Sequence, residues 1–213
     1  MAALFKEKML DQVRAQTAAQ HKIHYSGFSG KLTTGDSQRL QELLLQRRLG
    51  MVEAGMAAQI NGRQPDPATM AVAYSAAEGD IQALLGDQYD AFVDYEMGMQ
   101  DRIELDSIIA VFVSDEIELS PAQQDQLLAL MQEERQANGL AIRWDSPDAM
   151  GLMQGDVPGV LSKHYAMYKA MDGRLDEIVD DRQTETLRNF FRTRLEHMTN
   201  ALNGLPRQAP PQP

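Results

Sequence analysis

The sequence contains no cysteine. That excludes disulfides, thiolate metal sites and a cysteine nucleophile. It leaves the compartment open, because a reducing cytosol and an oxidising periplasm both accept chains without cysteine. Aromatic residues are scarce, 6% with a single tryptophan. Much of the core volume must therefore come from leucine and from 13 methionines, which suit helix packing better than a sandwich of β-branched strands. Positive charge is also short: 20 Lys and Arg stand against 31 Asp and Glu, a net charge of −11. Nucleic acid is not expected as a partner, since phosphate binding needs a concentrated positive field. No stretch approaches the ~18 continuous apolar residues of a membrane span. The N-terminal run from Met1 to Gln16 is amphipathic and broken by charges, unlike a signal peptide. The chain is expected to be soluble, with the question of a targeting segment upstream left open.

What is present is helical periodicity. Hydrophobic residues make up 43% of 213. The fold class expected is all-α: an elongated bundle of about six to seven helices arranged as hairpins. It is read as one domain over 1–205, with a possible subdivision near 140–155 and a disordered Pro/Gln-rich tail at 206–213. Phe5, Met9 and Val13 mark one face of a first helix, about Ala2 to Tyr25. Leu40, Leu43, Leu44, Met51, Val52, Met56 and Ile60 mark a second, stopped by Asn61-Gly62. Asp66-Pro67 opens a third, to Leu85, with Met70, Tyr74, Ala77, Ile81, Leu84 and Leu85 inward. Gly86-Asp87 reads as a corner in which glycine closes one helix and aspartate caps the next. A long fourth helix, about Gln88 to Ile117, carries Phe92, Met99, Ile103, Ile108 and Phe112. The run Ile108 to Val113 resembles a strand by itself and is assigned to this helix because helical spacing precedes it. A fifth helix runs from Ser120 to Ala137 and stops at Asn138-Gly139. Leu140 to Gly155 is the least regular stretch, with a short helix start at Ser146-Pro147-Asp148. Two more helices follow, about Gly159 to Val179 and Arg182 to Leu202.

Three helix starts share a pattern: Leu32-Thr33-Thr34-Gly35-Asp36, Leu119-Ser120-Pro121-Ala122-Gln123 and Val179-Asp180-Asp181-Arg182-Gln183. An apolar residue precedes a capping residue, and a Gln or Asp follows four positions after the apolar one. The apolar residue pins the angle of the chain while the polar pair satisfies orphan N–H groups. Leu40, Leu127 and Leu187 then align, followed by Leu43, Leu130 and Phe190. Because caps are common, the pattern is also what three unrelated helix starts would give, and the unequal spacing excludes a strict solenoid.

Leu119, Ser120 and Gln123 resemble the LTxxQ motif of the Spy/CpxP-type periplasmic helical proteins, a superfamily that includes metal-responsive members. The first copy departs from it with Asp36, the third with Val179 and Asp180 while keeping Gln183. The block Leu84 to Tyr89 with Phe92 and Tyr95, followed by the Leu-Ser-Pro-x-Gln helix, is similar to a set of uncharacterised secreted or membrane-anchored proteobacterial proteins. These resemblances imply a periplasmic or envelope location in a Gram-negative bacterium, with a possible anchor upstream, and a chaperone-like binding role. A cytoplasmic location is the alternative.

Candidate chemistry is thin. His21 and His24 are spaced to share a helix face, and His164 and Met167 pair an imidazole with a thioether. Each pair is half a site at most, so no metal or other cofactor is expected. The neighbouring carboxylates Glu133-Glu134 and Asp180-Asp181 diverge by about 100° on a helix and read as solvated surface. No nucleophile elbow, phosphate loop or zinc-protease helix is present. The function expected is a non-enzymatic, envelope-associated module that binds other proteins or itself through Leu/Met stripes. A metal-binding sensor of the same superfamily and a structural oligomerisation module are the alternatives.

Overall fold

The computed structural model describes residues 2–60, 66–143, 145–149 and 157–203. Among them every regular element is helical, so the all-α expectation holds. The chain forms two compact units, Met1–Met99 with Ile142–Gly151, and Gln100–Ala141 with Leu152–Pro213. Ile142–Gly151 belongs to the first unit although its sequence neighbours on both sides belong to the second. The Pro/Gln tail and the Asn61-Gly62 stop lie outside the described residues.

The first unit contains α1 (Ala2–His24), the single turn α2 (Ser26–Ser29), α3 (Thr34–Ile60), α4 (Pro67–Leu85), a 3₁₀ turn at Gly86–Gln88 and α5 (Tyr89–Met97). α3 packs on α4 and on α1. Its buried face runs Leu40, Leu43, Leu44, Arg47 and Met51, against Met70, Tyr74, Ala77, Ile81 and Leu85 of α4. Asp66 caps α4 by accepting from the Ala68 and Thr69 N–H groups, with Pro67 in the first turn, where its missing N–H is no loss. Of the stripe residues, Met9 is 38% and Ile60 62% exposed. The face that α1 buries lies further along, at Thr17, His21 and, just beyond its end, Tyr25.

Two local expectations are corrected. Asp87 does not cap α5: the 3₁₀ turn precedes that helix, and neither element start has a side-chain cap. Gly86 turns the chain at φ +51°, a conformation glycine adopts without steric cost. The long fourth helix is two helices, α5 and α6 (Met99–Ser114), separated at Gly98, where a glycine weakens the helix interior by about 1 kcal/mol relative to alanine. Ile108 to Val113 is helical within α6.

In the second unit α6 is followed by α7 (Pro121–Ala137), α8 (Val157–Asp172), a 3₁₀ turn at Leu175–Glu177 and α9 (Asp181–Asn203). α8 therefore stops short of the expected Val179. One core joins Leu105, Ile108 and Phe112 of α6, Leu127, Leu130 and Met131 of α7, Met167, Tyr168 and Met171 of α8, and Leu187 and Phe191 of α9. α7 ends at Asn138-Gly139 as expected. Gly139 adopts φ +62°, and the Leu140 N–H turns back to the Arg135 carbonyl at 2.9 Å, satisfying a terminal acceptor.

Candidate functional site

The buried face of α3 carries a charge. Arg47 and Glu96 are both 0% exposed and pair directly. Arg47 also reaches Glu78 at 2.9 Å and the Tyr74 hydroxyl at 3.3 Å, with its guanidinium 4.8 Å from the Tyr74 ring centroid. Glu96 accepts in addition from Tyr25 at 2.6 Å and from Arg143. Arg143 bonds Glu78 at 2.7 Å, and Tyr89 donates to Glu78 at 2.5 Å. Burial works against the Arg47 charge, yet Glu96 and Tyr25 hold its pKa well above the usual value. Burial and Glu96 likewise push the Tyr25 phenol well up. Two guanidiniums face two carboxylates, so the cluster is neutral in charge. Each carboxylate oxygen has a donor, which lets ions survive burial.

His21 and Asp145 border this cluster. His21 is 4% exposed, and its Nε2 lies 3.9 Å from Asp145 Oδ2. Burial, with Arg47, Arg48 and His24 behind it, lowers its pKa to about 4. Asp145 pairs with Arg48 at 2.5 Å from a backbone at φ +59°. Burial raises its pKa despite that partner. The His24 carbonyl accepts from the Tyr95 hydroxyl at 2.7 Å.

The helix-start residues of the second unit come together. Ser120 and Gln123 form a full capping box. Asp180 and Gln183 repeat it: Asp180 accepts from the Gln183 N–H at 2.8 Å, and Gln183 Oε1 accepts from the Asp180 N–H at 2.9 Å. The two glutamines then cross over. Gln123 Nε2 donates to the Ile178 carbonyl at 3.2 Å and to Gln183 Oε1 at 3.0 Å. Gln183 Nε2 donates to the Glu118 carbonyl at 2.6 Å. Ile178 and Glu118 are each the residue before the other motif's apolar position, so the pair is internally two-fold. Leu119 and Val179 are buried beside it, and Leu127 and Leu187 are both 0% exposed. The first copy sits in the other unit, where Leu32 is half-buried and Thr33 bonds Asp36 at 2.7 Å. It is a local cap, in which Thr33 Oγ1 also accepts from the Asp36 N–H at 3.2 Å. Of the adjacent acids, Glu133, Asp180 and Asp181 are exposed, and Arg174 bridges Glu133 at 3.0 Å and the half-buried Glu134 at 3.1 Å.

α8 and α9 form an antiparallel pair whose register is set by Arg188–Asp172 at 2.5 Å and by Tyr168 stacked on Phe191 at 4.7 Å. Between them lies an open groove of about 610 Å³. Tyr168, Phe191 and Leu195 make its floor, and Tyr165, Lys169, Arg192 and Glu196 its rim. It continues into a depression of about 350 Å³ beside Pro158, Leu161 and Thr199. Tyr165 is 61% exposed. The floor is held from below: Tyr168 donates to Glu104 at 2.5 Å, and Arg135 joins Glu104 at 3.0 Å and Asp101 at 2.5 Å.

His164 Nδ1 lies 2.9 Å from the Val160 carbonyl of its own helix, and Met167 is fully buried in the core. Among the described residues no three His, Cys, Asp or Glu side chains stand together as metal ligands would, and no helix is long and apolar enough to cross a membrane. The chain matches no family model, no curated protein and no solved structure.

Proposed function

We propose that this chain is a non-enzymatic helical module that binds other proteins, chaperone-like, through the groove between α8 and α9. The observation that carries the reading is an open, aromatic-floored groove with Tyr165 61% exposed on its rim. A tyrosine left in water next to further apolar surface has area to contribute on binding, and it loses little conformational freedom in doing so. The polar clusters support the non-enzymatic half of the reading. Glu78, Glu96 and Asp145 are each engaged by an arginine, and the glutamines of the motif pair hold backbone in place. The LTxxQ-like residues Leu119, Ser120 and Gln123 support an envelope setting by resemblance.

The test is light scattering from a reduced, aggregation-prone acidic protein in the presence of increasing amounts of this chain. An acidic helical protein without such a groove serves as control. Suppression well above the control, weakened by Tyr165→Asp with the helical spectrum unchanged, is the expected result. Scattering curves that match the control at several-fold excess would remove the binding reading.

A further inference from the structure

The geometry points to one kind of occupant for this groove: an acidic amphipathic helix of a partner protein. The inference rests on the protein-binding reading and adds what is bound. From Pro158 to Asp172 the α8 wall is about four turns, roughly 20 Å, which suits a helix laid lengthwise in the groove. The floor offers an apolar stripe, and the walls add charge at one level. Lys169 follows Tyr168 and Arg192 follows Phe191, and the stack of those two rings places the two cations on opposite rims at the same height.

Neither Lys169 nor Arg192 has a carboxylate within ion-pair distance among the described residues; Arg192 donates to Asn189. Arg188, by contrast, is already held by Asp172. Glu196 is the opposing rim charge, which leaves two uncompensated cations against one anion. In a chain of net charge −11 this is a local reversal of sign. Among the described residues, the lining of the far end, around Pro158, Leu161, Ser162 and Leu195, carries no charge. The complement is a helix with an apolar stripe and carboxylates flanking that stripe near one end.

Two fluorescein-labelled helical peptides of about 16 residues, four turns, test this by anisotropy at low salt. Both carry leucine at every third and fourth position. One has glutamates flanking the stripe at one end, the other lysines. The acidic peptide should bind at least about tenfold more tightly than the basic one, since rim charges mainly set specificity and salt dependence. Lys169→Glu with Arg192→Glu should reverse that order, and Tyr165→Asp should weaken both. Both replaced cations are exposed, so the fold is not at risk. Equal binding of the two peptides, unmoved by the charge reversal, would overturn the acidic-partner inference and leave the protein-binding reading standing. Failure of both peptides, with a dimer in sedimentation that Tyr165→Asp dissolves, would overturn it in favour of a second copy of this chain. Failure of both with a monomeric chain would also overturn it, and scattering then decides the wider reading separately.

Discussion

Replacing Glu96 with glutamine keeps the shape of the buried cluster and removes one charge. Glu96 accepts from Arg47, Arg143 and Tyr25 at 0% exposure. Without its charge, two guanidiniums share Glu78 alone, and Arg47 has no water to turn to. Leaving a buried ion uncompensated costs about 3–5 kcal/mol, against a total domain stability of about 5–15 kcal/mol. With a urea slope of about 2 kcal/mol per molar, the midpoint of the affected transition should fall by about 1.5–2.5 M. The assay is urea unfolding followed by far-UV circular dichroism, with amide exchange of α3 assigning the transition. Replacing Arg47 and Glu96 together with methionine should cost much less than either single change, because Arg143 and Glu78 still pair at 2.7 Å and the new side chains need no partner. The coupling between the two sites should be about 2 kcal/mol or more. A cost below about 1 kcal/mol for Glu96→Gln, or a double variant as unstable as the sum of the singles, would mean that the buried charges do not depend on one another.

Three further outcomes are expected. His21 resists protonation in the fold, with a pKa of about 4 against 6.5; its contribution is therefore complete above about pH 6.5 and is lost as pH falls toward 4, a change on the order of 3 kcal/mol. Asp145, whose pKa is raised, acts in the opposite sense, losing stability as pH rises through its own window, so the difference between wild type and His21→Gln is the quantity to measure across pH 7 to 4; a pH-independent difference would contradict this. Gln183→Ala removes a cap and a cross-motif bond and should cost about 1–2 kcal/mol in denaturant titration, with non-additivity toward Gln123→Ala; additive effects would mean that the crossed glutamines do not act together. Gly139→Ala, at φ +62°, should destabilise α7 by about 1 kcal/mol, and a neutral result would place strain elsewhere.

The helix starts were legible because caps are local chemistry. Ser120, Asp66 and the Asp180–Gln183 pair each satisfy N–H groups within a few residues. The split at Gly98 was harder to read, because the flanking hydrophobic spacing continues through it. The polar cluster was missed for a physical reason. The apolar stripes run from Leu44 to Met51 and from Phe92 to Met99 and pass over Arg47 and Glu96, which stand at core-facing positions. A charge at such a position has to find its opposite elsewhere, and that was the available signal. Arg143 gave none, since its partners lie 47 and 65 residues away. The groove was equally hidden: spacing puts Tyr165, Tyr168 and Phe191 on helices but does not say which rings folding leaves in water.

Site-specific photo-crosslinking shows directly whether the α8–α9 groove is where another protein is held. A benzophenone amino acid replaces Tyr165 in one sample and Val113, 69% exposed in the same unit, in another. Each is irradiated with the reduced acidic client used for scattering. Client adducts are expected from position 165 and few from position 113. Equal yields from both positions, or suppression of scattering with no adduct at 165, would contradict binding in the groove.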